Sequence, residues 1–223
     1  MNEILKNDSS NDISNNNVEH VENVKFDMAL ADSKYINPMR MHYMRKGHQL
    51  VWDFALEYDS VSVLLYHLER KELLLVKQEK PENVEKSLNE IEWSKYPIEL
   101  GETLELCAGL IDKPGTSTLD HIHQEIMEEC GYNVPTNLIQ PIKRYVTGVS
   151  TSGSTQHLFY AEINESMRVS DGGGNPSEGE FIKKVFMKPE EAAKFRSDIT
   201  IAIAPPSLLF ALTWWLNERR PAS

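Results

Sequence analysis

Three glutamates in one short stretch, Glu125, Glu128 and Glu129, have the types and spacing to do chemistry. They lie in GLIDKPGTSTLDHIHQEIMEECGY, residues 109–132. At i, i+3 and i+4 they share one face of a helix, where like charges repel. They also sit toward the C-terminus of that helix, where the backbone dipole disfavours negative charge. Folding alone gives no reason for such a cluster. A hard divalent cation does, because it wants grouped carboxylate oxygens, and Mg2+ commonly shares them with substrate phosphates. The competing reading is a solvated acidic face.

The helix that must carry these carboxylates can be placed. Ser117 is its N-cap, with Asp120 three residues later as in a capping box. Gly131 is the left-handed stop, and Pro135 follows soon after. Leu119, Ile122, Ile126 and Cys130 recur at three- and four-residue spacing and form its buried stripe. Upstream, Leu104 to Cys107 reads as a strand feeding Ala108-Gly109, so strand, glycine loop and acidic helix follow one another.

The other elements frame this unit. Residues 39–57 read as two strands around Arg45-Lys46-Gly47-His48, with Met39, Met41 and Tyr43 alternating in one and Leu50, Trp52 and Phe54 in the other. A lone hairpin cannot bury itself and must dock on something; Trp52 and Phe54 are read as packing residues. SVSVLLYHL and LLLVKQ, joined by a charged turn, have the near-continuous apolar character of strands inside a sheet. Residues 82–103 read as a polar loop insertion, 139–149 and 157–163 as strands. Between those strands Gly148 to Ser154 is a small-residue loop whose backbone N–H groups, at Gly153 and Ser154 above all, could wrap a sugar or phosphate; an ordinary hairpin connection is the alternative. SDGGGNPSEGE (170–180) reads as a movable acidic loop before the strand FIKKVFM. Pro189 opens a short helix, and Pro205 or Pro206 opens the last one, with Leu208, Leu212, Trp215 and Leu216 on one face.

Composition bounds the function. At 223 residues, 40% apolar and 26% charged, the chain has the make-up of one globular domain with extensions. A net charge of −11 argues against a nucleic-acid partner, whose phosphates are met by Lys and Arg. It does not argue against a nucleotide, since a bound metal inverts the local field. No apolar run approaches the length of about 18 residues that a membrane span needs. The two cysteines, Cys107 and Cys130, read as buried thiols in a reducing compartment. MNEILKNDSSND has no basic, apolar signal pattern, so a cytoplasmic protein is expected.

Gly109, Glu125, Glu128, Glu129 and Gly131, with apolar Ile126 and Tyr132, resemble the signature of the Nudix family, G-x5-E-x7-R-E-U-x-E-E-x-G-U with U apolar. Q-E-I-M-E-E-C-G-Y (124–132) matches its second half at every position but one. Gln124 stands in place of the Arg, Thr116 near the place of the first Glu, and the gap from Gly109 to Gln124 is one residue longer. Gln78-Glu79-Lys80-Pro81 is similar to the Q-F-R-P of the nucleotide-sugar branch, whose Arg faces substrate phosphates. The resemblance implies an α/β fold, the Nudix-type α/β/α sandwich with a mixed sheet, here with an N-terminal β-hairpin added. It covers the hydrolase domain (59–217) and implies that the β extension (31–58) serves dimerisation; the first residues (1–30), rich in Asn, Ser, Asp and Glu, read as a disordered tail. It implies hydrolysis of the pyrophosphate of a nucleoside diphosphate sugar, with UDP-glucose first. ADP-ribose or an ADP-sugar is the alternative substrate, and a binding protein that has lost turnover the alternative class. It implies Mg2+, or Mn2+ in its place, held by Glu125, Glu128, Glu129, the Ala108 carbonyl and Glu180. Glu178, with Glu125, would be catalytic; Lys80, Gly109, Gly153 and Ser154 would touch substrate. Enzymes of this branch pair through an N-terminal sheet, so a homodimer is expected, with docking of the hairpin on its own subunit as the rival.

Overall fold

The computed structural model describes Ser33 and residues 35–79, 102–198 and 204–219. The expected tail, most of the expected insertion and Lys80 lie outside the described residues. The elements are β1 (Asn37–Arg45), β2 (His48–Leu56), β3 (Ser60–His67), β4 (Glu72–Glu79), β5 (Glu102–Glu105), β6 (Cys107–Leu110), α1 (Thr118–Glu125), β7 (Gln140–Val146), β8 (Thr155–Ile163), β9 (Ile182–Met187), α2 (Pro189–Ser197) and α3 (Pro206–Glu218).

Seven strands make one mixed sheet in the order β5-β4-β3-β8-β7, with β6 added to β3 and β9 to β4. β3 and β8 run parallel at its centre; the other pairs are antiparallel. The apolar runs of β3 and β4 are buried on both faces, and alternation divides their side chains between two cores. Val61, Val63, Leu65, Leu74 and Val76 pack with Phe159 and Ala161 of β8 beneath Ile122 and Ile126. Leu64, Tyr66, Leu73 and Leu75 pack on the other face beneath Ala192 of α2 and Leu208, Leu212 and Trp215 of α3. This is the expected layering of helix, sheet and helix.

Two boundaries differ from the sequence reading. The strand ahead of Gly109 starts at Glu102, not Leu104, and breaks at Leu106. Its first half pairs with β4 and its second with β3, so the chain steps across the sheet just before the glycine. The acidic helix also changes character. α1 is α-helical through Glu125, and Ile126–Cys130 widens into a π-helical turn that Gly131 closes at φ 79°. Ser117 caps the N-terminus as expected, its hydroxyl accepting from the Asp120 N–H.

β1 and β2 form a separate two-stranded sheet, paired along their full length from Asn37–Leu56 to Arg45–His48. Lys46 and Gly47 both take positive φ, 52° and 79°, as a two-residue turn that matches strand twist requires. Arg40 and Asp53, partners in register, form a two-pronged ion pair at 2.6 and 2.8 Å. The hairpin meets the body through the Ala55 N–H donating to the Thr151 carbonyl and through Ser154 donating to Glu57. Its apolar residues are not covered by these contacts: Met39, Met41 and Trp52 remain 46%, 45% and 48% exposed.

Candidate active site

The site is built where α1 crosses the sheet. β6 lies beside β3 with Gly109 opposite Val61, and α1 packs over both strands. Glu125 points back at this strand so closely that a Cβ on Gly109 would fall 2.2 Å from its carboxylate carbon. A side chain at 109 would displace the Glu125 carboxylate from the strand. One turn on, Glu129 is only 4% exposed. Its carboxylate accepts from the Ala108 N–H at 3.1 Å and from the Cys107 thiol. Glu128 stays exposed at the rim.

The acidic face is thus open to solvent at Glu128, partly buried at Glu125 and buried at Glu129. Burial, and then the charges of Glu128 and Glu180, push Glu125 up to about 7. Burial pushes Glu129 up to about 8; the Cys107 and Ala108 hydrogen bonds oppose this, while Glu125 and Glu180 add to it. One local cation acts on Glu125. Lys113, in the loop before α1, lowers Glu125, and its Nζ donates to the Gln124 side chain at 3.0 Å. The signature Arg is absent at 124, and Lys113 brings a cation to the same place.

The loop of residues 169–180 joins the site from the other side. Its backbone N–H groups donate into the C-terminal end of the acidic segment: Gly173 to the Glu129 carbonyl (3.0 Å) and Gly174 to that of Glu128 (3.2 Å). A Cβ on Gly172 would lie 2.3 Å from the Glu129 carbonyl oxygen. The glycines, read from sequence as a source of movement, are where two backbones touch. The loop brings Glu180 within electrostatic reach of both Glu125 and Glu129. Glu178 closes a short 3-10 turn that Gly179 ends, two residues before.

Gly153 and Ser154 lie in the β7–β8 connection. β8 begins beside the start of β3, on the flank opposite β6, so this loop and Gly109 share one end of the sheet. The loop N–H groups are turned inward: those of Thr151, Ser152 and Gly153 all donate to the Gly148 carbonyl. The Ser154 hydroxyl meets Thr147, Ser152 and Glu57. These bonds tie the loop to itself and to the end of β2, and they do not run to the carboxylates.

The donors suit a hard cation: all are oxygens, two are raised by burial and crowding, and one is pressed on a glycine that leaves it room. Among the described residues no three His, Cys, Asp or Glu side chains are already arranged to hold a metal ion. Lys113 was missed in the sequence, and the 170–180 loop was read there as movable without its backbone contacts to the acidic segment. The one available signal for Lys113 was the missing cation at Gln124.

The site is thus a mixed sheet between two helical layers, with Glu125 and buried Glu129 set against the Gly109 strand. No protein-family profile matches the chain. Curated relatives do. The chain is 35% identical over 217 residues to the uridine diphosphate glucose pyrophosphatase NUDT14 of Bos taurus, covering 90% of this chain and 96% of the relative. It is 34% identical over 209 residues to that of Mus musculus, covering 86% and 92%. GDP-mannose pyrophosphatase of Cronobacter sakazakii matches at 28% over 156 residues, 69% and 67% of the two chains. The chain belongs to the Nudix hydrolase family.

Proposed function

We propose that this protein is a Mg2+-dependent hydrolase of nucleoside diphosphate sugars, acting on UDP-glucose to give UMP and glucose 1-phosphate. The observation that carries the chemistry is the charge-frustrated pair Glu125 and Glu129, raised to about 7 and about 8 and facing Glu180. The substrate class is supported by the similarity to UDP-glucose and GDP-mannose pyrophosphatases.

In this reading Glu125, Glu128 and Glu129, with the Ala108 carbonyl and Glu180, hold the metal. Mg2+ held there would supply charge neutralisation for the pyrophosphate and a more acidic water. The protein's own work is positioning. Gly109 lets Glu125 approach the strand, and Ala108 and Cys107 fix Glu129. A loop carboxylate takes the proton as water adds to one phosphorus and the bridging P–O bond breaks. Glu178 is one candidate; the field of Glu180 at Glu125 and Glu129 supports Glu180 as the other. Lys80, Gly109, Gly153 and Ser154 are the proposed substrate contacts. The buried free thiols Cys107 and Cys130 support a reducing, cytoplasmic setting, and the uncovered hairpin supports a homodimer. Among the described residues no helix is long and apolar enough to cross a membrane.

The test is a substrate screen with Mg2+, reading phosphate released by a phosphatase that attacks only monoester products. UDP-glucose should turn over fastest among UDP-glucose, ADP-ribose and GDP-mannose. Faster ADP-ribose cleavage would shift the substrate, and no release from any of them would remove the hydrolase reading.

A further inference from the structure

We propose that the glycine strap, residues 169–175, together with Lys184 of β9, is the positioning element of the carboxylate site, with Gly172 permitting the strap's close approach. The proposal rests on the hydrolase reading for its catalytic consequence. The last carbonyls of any helix lack intrahelical donors and must find them elsewhere. Here four consecutive carbonyls, 128 to 131, are satisfied from outside the helix. Gly174 N–H donates to that of Glu128 at 3.2 Å and Gly173 N–H to that of Glu129 at 3.0 Å. Lys184 Nζ, from β9, donates to that of Cys130 at 3.0 Å. Val169 and Ser170 N–H groups donate to that of Gly131 at 2.9 and 3.2 Å. The peptide units that carry Glu128 and Glu129 are therefore held directly by the strap.

The same segment holds the facing carboxylate. Gly173 accepts from the Ile182 N–H at the start of β9, and Asn175 exchanges contacts with Glu180: its carbonyl accepts from the Glu180 N–H at 3.1 Å, and its N–H donates to Oε2 at 3.5 Å. One stretch of backbone thus sets the spacing between the helix carboxylates and Glu180. Gly172 (φ +67°) permits it, because a Cβ would strike the Glu129 carbonyl at 2.3 Å; Gly131 is the reciprocal case, with a Cβ 2.3 Å from the Ser170 carbonyl. Backbone cannot swing aside as a side-chain tip can. The Lys184 ammonium also lies 5.8 Å from the Tyr132 ring centre, a cation–π contact beside the Cys130 hydrogen bond.

The experiment compares wild type with Lys184→Met, Lys184→Arg and Gly172→Ala in the full chain. It measures amide hydrogen exchange over residues 126–131, the Mg2+ concentration for half-maximal rate, and kcat and KM for UDP-glucose. Lys184→Met keeps the stem and loses the donor; Lys184→Arg restores a donor. In Lys184→Met and Gly172→Ala, exchange at 126–131 should accelerate and the Mg2+ requirement rise about tenfold, as for loss of a group that orients metal ligands. The kcat should fall about tenfold or more with KM within about twofold, the pattern of lost transition-state positioning. Lys184→Arg should recover most of each. Unchanged exchange and unchanged Mg2+ requirement in Lys184→Met, with only a lower melting temperature, would overturn the proposal, whether or not Gly172→Ala folds. A wild-type protein without turnover would instead remove the hydrolase reading. Exchange alone then decides the strap: Mg2+ should slow it at 126–131 in wild type and not in Lys184→Met, and equal slowing in both would overturn it.

Discussion

At the scale of single residues, Glu129 concentrates the conflict between folding and function. An ordinary glutamate ionises near 4.5, whereas burial moves Glu129 to about 8. Between these values the folded protein keeps a proton that the unfolded chain has lost. The stability tied to that proton is fully present below about 4.5 and is lost as pH rises through about 8. The metal-free protein should therefore melt progressively lower as pH is raised from about 6 to about 9. Glu129→Gln should flatten that slope and abolish Mg2+-dependent turnover while leaving the circular dichroism spectrum intact. An active variant would remove Glu129 from the site. Lys113 tests the opposite sign. It lowers Glu125, so Lys113→Met should push Glu125 higher and weaken Mg2+ activation near neutral pH. Gln124→Arg in that background should restore activation, since it returns a cation to the same neighbourhood; failure to do so would assign Lys113 another role.

At the scale of elements, Glu102 shows how the sheet is tied where the site strand begins. From β5 its carboxylate meets Lys77 of β4 at 3.1 Å and Lys183 of β9 at 2.8 Å, joining three strands. The hydrogen bond from Lys183, with help from Lys77, holds it below its ordinary pKa. Its contribution is thus present above pH about 4.5 and lost as pH falls through the lower folded value. Both lysines are well exposed, so after screening Glu102→Gln should cost no more than about 1 kcal/mol at about pH 7, read by urea unfolding, with the difference closing in acid. The same elements show what sequence could reveal. The apolar runs of β3 and β4, the Ser117 cap and the Gly131 stop were legible because each has a local signal. The i, i+3, i+4 carboxylates were legible because their repulsion has no use in folding. The division of β5 from β6 was not, since two four-residue strands leave no periodicity to read. Nor was the strap: a glycine that lets two backbones touch and a glycine that lets a loop move are the same letter.

At the scale of the whole molecule, the hairpin is the part that the fold of one chain leaves unexplained. A two-stranded ribbon is marginal in water by itself, and β1 and β2 stand apart from the main sheet. Met39, Met41 and Trp52 are each close to half exposed, with Met44, Val51 and Leu56 also exposed, which supports the proposed pairing. Apolar residues gathered on one extension mark a surface that meets a partner. A second copy is the simplest partner, because a two-fold axis lets the same ribbon serve both sides. A stable interface buries about 1,600 Å² in all, and a ribbon of this kind needs help from the adjoining body to reach it. The hairpin is tied to the β7–β8 loop through Ala55 and Glu57, and that loop shares an end of the sheet with Gly109. Dimerisation would therefore order a loop at the site end of each subunit. The full chain should scatter light as a dimer, and a chain starting at Asp59 as a monomer with reduced turnover. A monomeric full chain would refute the dimer, and a truncated chain that stays dimeric and fully active would place the interface on another face.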